Sequence, residues 1–158
     1  MEKYIQPFID VCVNVFKEFL HLDVKTGRPY FSVKEAITEW DISAVIGLTG
    51  EARGAVVISL KKEHAIKLTD ILTGTIHADF DGEVVDAIGE IINIIAGNAK
   101  RGLEDAFKLN ISLPTIVKGV EHSVIWSDGK TRVICIPFQF LDNESFCLSV
   151  AIEAVGGA

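Results

Sequence analysis

The sequence lacks any long apolar run, because no uninterrupted stretch approaches the ~18 residues that a membrane-spanning helix needs. The N-terminal segment Met1–Phe8 also lacks the basic region and apolar core of a signal peptide. Cysteine is scarce, and Cys12, Cys135 and Cys147 lie among apolar neighbours, as buried free thiols usually do. We therefore expect a cytoplasmic protein that does not insert into a membrane.

Clusters of lysine and arginine are also missing. The formal net charge is −7, and both nucleic acids and anionic membranes favour partners with dense positive charge. We expect neither of them as the main partner. Apolar content, in contrast, is high, with 49% hydrophobic residues and a mean hydropathy of +0.34. Such a value indicates either extra surface buried in an oligomer or a tendency to aggregate.

The residue patterns of metal sites and of covalent catalysis do not occur. The four histidines fall on different predicted elements and have no histidine or cysteine at ligand spacing: His21, His64, His77 and His122. Neither a Gly-x-Ser-x-Gly elbow nor a Cys/His arrangement is present. Gly47, Gly50 and Gly54 do not have the spacing of a phosphate-binding loop and fall in a predicted hairpin. We expect no metal site and no cofactor of the chain's own.

The segment Asp81–Glu104 organises the chain, because its pattern predicts one long amphipathic helix. Valine, isoleucine, alanine and leucine recur every three or four residues, at positions 84, 85, 88, 92, 95, 99 and 103. The same rotation of ~100° per residue gathers polar residues and a glycine on the opposite side. We call this set the polar stripe: Glu83, Asp86, Glu90, Asn93, Gly97 and Lys100. Glu90 and Asn93, three residues apart, project side by side.

Most amphipathic helices have a charged face that is only solvated, and that is the ordinary interpretation of the polar stripe. Asn93 favours a function, because asparagine is a poor residue for a helix interior. Gly89 and Gly97 cost about 1 kcal/mol each relative to alanine there. Bare backbone at these two glycines would allow a partner surface to approach closely. Close packing within the chain would explain them equally well.

The rest of the chain predicts one domain, residues 1–158, of the α+β class, with a mostly antiparallel sheet and helices on one face. Two further helices are predicted, Glu2–Leu22 and Glu63–Leu72. Trp40–Thr49 and Ala52–Leu60 form a hairpin around Gly50 and Glu51. Later strands are Ile116–Val117, His122–Trp126, Thr131–Phe138 and Phe146–Ala154, with a two-residue hairpin turn in Ser127–Lys130.

Two late segments are strongly β-prone, Thr131–Phe138 and Phe146–Ile152. An uncovered sheet edge among them would aggregate unless it were capped or paired. We therefore predict a homodimer that forms through strand pairing.

The string Asp86-x-x-x-Glu90-x-x-Asn93, followed by Pro114, resembles the signature of the CheC/CheX/FliY chemotaxis phosphatases. One copy of the motif is present, as is typical of CheX-like members, and the interval to Pro114 is shorter than in the family's general pattern. The resemblance continues through Val45–Gly50, Gly54, the segment around Ala65 and Leu113–Gly119, so it covers most of the chain. It implies a CheC-like fold and pairing of subunits across strands.

The resemblance also implies a function, hydrolysis of the aspartyl-phosphate of the response regulator CheY. In the family the matching glutamate contacts a lysine of the regulator, so the likeness assigns Glu90 to docking. Asn93 is assigned to positioning the attacking water, since a carboxamide both donates and accepts hydrogen bonds. Asp86 and Gly97 are expected at the rim of the contact, and Mg²⁺ is expected in the regulator's own acidic pocket.

Two other functions fit the same residues. A non-catalytic module would use the same helix face to bind a response regulator or a flagellar-switch component without hydrolysis. A purely structural oligomer would bind no regulator. The sequence does not separate these from the phosphatase, because binding and hydrolysis would use one face.

Overall fold

A computed structural model describes residues 4–32, 40–122 and 132–155 of the chain. These ranges contain three helices, α1 (Ile5–Leu20), α2 (Lys62–Thr73) and α3 (Gly82–Gly102). The strands are β1 (Lys25–Thr26), β2 (Tyr30–Phe31), β3 (Trp40–Gly50), β4 (Ala52–Leu60), β5 (Leu109–Ile111), β6 (Thr115–His122), β7 (Ile134–Gln139) and β8 (Ser145–Ala154).

The strands form one antiparallel sheet. Its order is β1, β7, β8, β4, β3 and β5, while β2 also pairs with β7 and β6 also pairs with β3. Strands β3 and β4 form the predicted hairpin, with Leu48 opposite Gly54 and Ile42 opposite Leu60. Gly50 has φ +116° at the turn, a conformation that favours glycine because a side chain would strain it.

All three helices cover the same face of the sheet, as the apolar pattern predicted. On β4, Ala52, Val56, Ile58 and Leu60 belong to the large core that the helices share with the sheet. Residues between them point to the other face because side chains alternate along a strand. A smaller apolar cluster lies on that other face: Val133, Cys135, Cys147 and Ala151, with Trp40 against it. The predicted α+β architecture, with a mostly antiparallel sheet and helices on one face, is confirmed.

The predicted hairpin turn Ser127–Lys130 lies outside the described residues, as do the last residues of the predicted strand His122–Trp126. Strands β6 and β7, on either side of that segment, are not neighbours in the described sheet. β6 pairs with β3, whereas β7 pairs with β1, β2 and β8. Strands β6 and β7 therefore lie on different parts of the described sheet, which turn chemistry by itself does not predict.

Within residues 4–32, 40–122 and 132–155, no helix has the length and apolarity needed to cross a membrane. The longest helix is α3, with 21 residues. Its polar stripe interrupts the apolar surface along its whole length. This helix lies at the centre of the helical layer, in contact with α1, α2 and the strands from β3 to β6.

Candidate functional site

Helix α3 has a well-defined start. The side chain of Asp81 accepts hydrogen bonds from the backbone N–H groups of Glu83, at 3.0 Å, and Val84, at 3.4 Å. These bonds satisfy backbone donors that have no partner inside the helix, and Glu83 adds a negative charge near the positive end of the helix dipole. Asp81 is thus the N-cap of α3.

The apolar side of α3 is buried and the polar stripe faces outward. Val84, Ile88, Ile92, Ile95 and Ala99 are buried in the large core, and Ala87, Ile91 and Ala96 widen the buried surface. Glu83, Asp86, Glu90 and Asn93 are exposed, while Gly97 and Lys100 are half-buried. The rotation predicted from the sequence is therefore the one that the helix adopts.

Glu90 and Asn93 have no partner for their side chains among the described residues. Neither side chain takes part in a hydrogen bond or ion pair within those ranges, and the same holds for Asp86. Asn98, the other asparagine of α3, differs: its Nδ2 donates to the carbonyl of Ile94 at 2.9 Å, and its Oδ1 accepts from Arg101. Asn98 serves the helix, whereas the carboxamide of Asn93 is available to water or to a partner.

Pro114 lies against α3 next to the Glu90/Asn93 pair. A Cβ placed on Gly89 would come 3.3 Å from Cδ1 of Ile116 and 3.8 Å from Cγ of Pro114. Gly89 immediately precedes Glu90 and lies one helical turn before Asn93. The distant proline of the sequence motif is therefore brought to the helix, and a side chain at position 89 would press against Ile116.

Gly97 has a different environment. A Cβ placed there would meet no atom of the described residues within 4 Å. Packing within the chain therefore does not account for this glycine. Its predicted role in contact with a partner stays a prediction.

A histidine that the sequence analysis did not use lies at one end of the polar stripe. Nδ1 of His77 is 2.9 Å from Oδ1 of Asp70, and Nε2 of His77 bonds Oε2 of Glu83. The hydrogen bond with Glu83, followed by that with Asp70, raises the pKa of His77 above its usual value of 6.5. The ring joins the end of α2 to the first turn of α3, a contact that periodicity cannot reveal.

Positive charge near the stripe comes from β6. Nζ of Lys118 lies 5.0 Å from the centroid of the Phe80 ring, just before the N-cap of α3. A cation over an aromatic face is attracted by the ring quadrupole. Lys118 is thus held by Phe80 and does not neutralise Glu90, so among the described residues the carboxylates of Asp86 and Glu90 stay available to a cation from outside.

The described residues contain no group of three or more histidine, cysteine or acidic side chains arranged to hold a metal ion. The side chain of Ser43 lies 2.8 Å from Nε2 of His122 and 2.8 Å from the hydroxyl of Ser59. This pair was not predicted, since 79 residues separate Ser43 from His122. Ser43 is fully buried, so it cannot attack a substrate.

Cys12, Cys135 and Cys147 are all buried, as predicted. Burial raises the pKa of Cys12, which keeps the thiol protonated and unreactive. Cys135 and Cys147 lie on the sheet face away from the helices, 3.6 and 3.8 Å from the hydroxyl of Ser149. None of the three cysteines belongs to the polar stripe.

Residues 42–139 match the family described as chemotaxis phosphatase CheX. A relative named CheY-P phosphatase CheX, from Thermotoga maritima, is 27% identical over 156 residues, which is 98% of each chain. The matched family range contains α3 and Pro114.

Solved structures agree in fold. The chemotaxis protein CheX of Vibrio vulnificus is 27% identical, with a TM-score of 0.86, covering 96% of this chain and 99% of that one. A CheX–CheY–BeF3–Mg²⁺ complex from Borrelia burgdorferi is 25% identical, with a TM-score of 0.81, covering 95% of this chain and 97% of that one.

Proposed function

The chain belongs to the CheX family of chemotaxis phosphatases, and we propose that it hydrolyses the aspartyl-phosphate of the response regulator CheY. The relative from Thermotoga maritima is named for that activity, and the solved Borrelia burgdorferi protein is bound to CheY. The observation that carries the proposal is the exposed Glu90/Asn93 pair, which has no side-chain partner among the described residues and lies on a helix whose apolar side is buried. We expect this reaction to take place in the cytoplasm.

The polar stripe lies on the outer, convex surface of a helix, so we place the acyl phosphate in a cleft of the partner. Hydrolysis of an acyl phosphate passes through a loose transition state, and catalysis is mainly positioning and electrostatics. A rigid helix that enters the partner's cleft and carries one polar group to orient the water is enough for this kind of catalysis. No covalent intermediate on this chain is required.

Asn93 is the residue that we assign to the water. Its Oδ1 accepts a hydrogen bond from the water, and its Nδ2 donates to an oxygen near the phosphoryl group. The water oxygen attacks phosphorus opposite the aspartyl oxygen, and the P–O bond to the aspartate breaks. The products are inorganic phosphate, which keeps the protons of the water, and the free aspartate of the regulator.

Glu90 is the residue that we assign to docking. Its carboxylate would repel the phosphoryl group unless a cation lay between them, and the family resemblance supplies a lysine of the regulator for that role. A charge-assisted hydrogen bond to that lysine would fix α3 in the cleft. Asp86, one turn before Glu90, and Gly97, one turn after Asn93, would line the rim of the contact.

Mg²⁺ belongs to the partner in this proposal. The Borrelia burgdorferi complex contains Mg²⁺ together with BeF3, and BeF3 there stands in for a phosphoryl group. A divalent cation bound by the regulator would neutralise phosphate charge as it develops. This chain then contributes orientation of the water and recognition of the regulator.

The test follows the loss of phosphate from CheY that has been phosphorylated by acetyl phosphate and freed from excess donor, in the presence of Mg²⁺. This protein is added in substoichiometric amounts. A phosphatase accelerates the decay in proportion to its concentration and acts for many turnovers. Decay at the rate of CheY alone would rule out the enzyme, and the non-catalytic binding module would then be tested by direct binding to phosphorylated CheY.

A further inference from the structure

Leu113 is a large apolar side chain that the fold leaves in solvent. It is 86% exposed, and among the large apolar residues of the described ranges only Ile76, at 89%, is more exposed. A single exposed leucine is common in proteins and indicates nothing by itself. Leu113 differs from such a residue in two ways: its backbone is held by hydrogen bonds, and it lies beside the Glu90/Asn93 pair.

The backbone on both sides of Leu113 is held in place. The N–H of Ser112 donates to the carbonyl of Gly47 at 3.0 Å, and the N–H of Gly47 donates to Oγ of Ser112 at 2.8 Å. The Ser112 hydroxyl in turn donates to the carbonyl of Leu113 at 2.9 Å. Strands β5 and β6 on either side both pair with β3. Leu113 is therefore presented on an ordered backbone, which lowers the entropy cost of using it in binding.

The position of Leu113 is next to the candidate catalytic pair. Its neighbour Pro114 contacts α3 at Gly89, where Cγ of the proline is 3.8 Å from the position of an added Cβ. Glu90 is the next residue of the helix. The exposed leucine therefore stands at the side of the surface that carries Glu90 and Asn93.

The charge of this surface indicates why an apolar contact is needed. Asp86 and Glu90 are exposed and have no ion pair within the described residues, so they suit a cationic partner surface. An ion pair that stays exposed at the rim of an interface, as one made by Asp86 would, adds little net affinity because water competes for both charges. Binding energy in protein interfaces comes mostly from a few apolar or aromatic anchors at a well-packed centre.

We infer that Leu113 is the apolar anchor that holds the receiver domain of the phosphorylated regulator against Glu90 and Asn93. This inference rests on the proposed function and deepens it. The partner surface must offer an apolar patch beside the cation and the phosphorylated aspartate. Leu113 would bind the regulator without touching the phosphoryl group, so it affects recognition and not the chemical step.

The experiment measures KM and kcat with CheY phosphorylated by acetyl phosphate in the presence of Mg²⁺. Leu113→Ala is expected to raise KM about tenfold, the scale of one buried leucine side chain, and to leave kcat close to that of the wild type. Ile76→Ala is the matched control. Ile76 is an isomeric side chain of similar exposure, next to His77 and beyond the Glu83 end of the stripe. The KM of Ile76→Ala should equal that of the wild type. Leu113→Gln, which keeps the length of the side chain, is measured as a second variant in case alanine disturbs the segment.

The outcomes separate this inference from the proposed function. An unchanged KM in both Leu113 variants, or an equal rise in Ile76→Ala, overturns the anchor while the phosphatase stands. If the wild type does not accelerate phosphate loss, the proposed function fails, and binding to BeF3-loaded CheY decides the anchor. If Leu113→Ala then binds more weakly than the wild type, the anchor is supported. If the wild type does not bind, or if both proteins bind equally, the anchor is overturned.

Discussion

Asn93 and Asn98 are five positions apart on α3, yet their side chains differ in their hydrogen bonds. Asn98 bonds the carbonyl of Ile94 and accepts from Arg101, so it stabilises the helix. Asn93 is exposed and has no hydrogen bond within the described residues. Asn93 belongs to the polar stripe beside Glu90, where its carboxamide is exposed to water or to a partner.

Replacing Asn93 tests the water assignment. Asn93→Ala should lower turnover of phosphorylated CheY by roughly a hundredfold, the scale expected when a positioning group is removed from a preorganised site. Its stability should hold or rise by about a few tenths of a kcal/mol, because alanine is the better helix former. Asn98→Ala is the matched control and should keep its turnover. A folded Asn93→Ala protein with normal turnover would contradict the assignment.

Replacing Glu90 tests docking. Glu90→Gln keeps the size of the side chain and removes its charge, so binding to BeF3-loaded CheY should weaken by about tenfold, as for loss of one charge-assisted hydrogen bond. Titration calorimetry measures the effect, which should shrink as salt is added. Glu104→Gln, also exposed but beyond the end of α3, should bind normally. Unchanged binding of Glu90→Gln would show that the regulator is recognised elsewhere.

At the scale of elements, His77 connects two helices. Its side chain is only 5% exposed and lies between Asp70 near the end of α2 and Glu83 in the first turn of α3. The backbone N–H of His77 also donates to Asp70 at 2.7 Å. With a carboxylate at each ring nitrogen, the doubly protonated ring is favoured, and the loop before α3 is tied to the helix that carries the site.

This connection predicts a pH dependence of stability. The pKa of His77 is raised in the folded protein, so folding favours the protonated ring. The contribution of His77 to the free energy of unfolding is therefore complete below the unfolded pKa, near 6.5. The contribution is lost as the pH rises through the folded pKa. His77→Ala should therefore be less stable than the wild type at pH 6, and the difference should narrow as the pH is raised. Urea denaturation at several pH values measures it, and a constant difference would contradict the role.

Gly97 offers a second test at this scale. Alanine at this position meets open space, so Gly97→Ala should raise the free energy of unfolding by about 1 kcal/mol through better helix propensity. The same methyl group should weaken binding to BeF3-loaded CheY if the regulator approaches the backbone there. Gly89→Ala should gain less stability, because its Cβ would come 3.3 Å from Cδ1 of Ile116 and the Ile116 side chain would have to move to make room. A stabilised Gly97→Ala protein with normal binding would remove Gly97 from the interface.

At the scale of the whole molecule, the sheet edges bear on assembly. The two β-prone segments that motivated the predicted dimer lie inside the sheet: β8 pairs with β4 and β7, and β7 also pairs with the short strands β1 and β2. Strand β6 has β3 as its only strand partner among the described residues. Its outer side is thus the longer edge of the described sheet, and Val117 on it is 42% exposed.

We predict that the protein is a homodimer at micromolar concentration, with one Glu90/Asn93 pair on each subunit. The physical reason is that an open strand edge with exposed apolar residues is stabilised by pairing with a second copy. Light scattering should give twice the chain mass of 17.2 kDa. A mass of one chain at that concentration would contradict the dimer without affecting the assignment of the site.

The sequence determined the elements whose signals are local. The two faces of α3 follow from the spacing of apolar residues, its start follows from Asp81, and the β3–β4 hairpin follows from β-prone runs around Gly50. Each depends on residues within a few positions of one another, so periodicity and capping are enough to predict them. The motif residues Glu90 and Asn93 were found in the same way.

Only the tertiary structure decided the contacts between distant parts of the chain. Packing brought Pro114 to Gly89, linked His77 to Glu83 and Asp70, and placed β6 and β7 on different parts of the sheet. It also left Asn93 without a side-chain partner among the described residues, whereas Asn98 bonds within the helix, although the two residues are chemically identical. These outcomes depend on which side chains a folded core brings together, and local propensity carries no information about that choice.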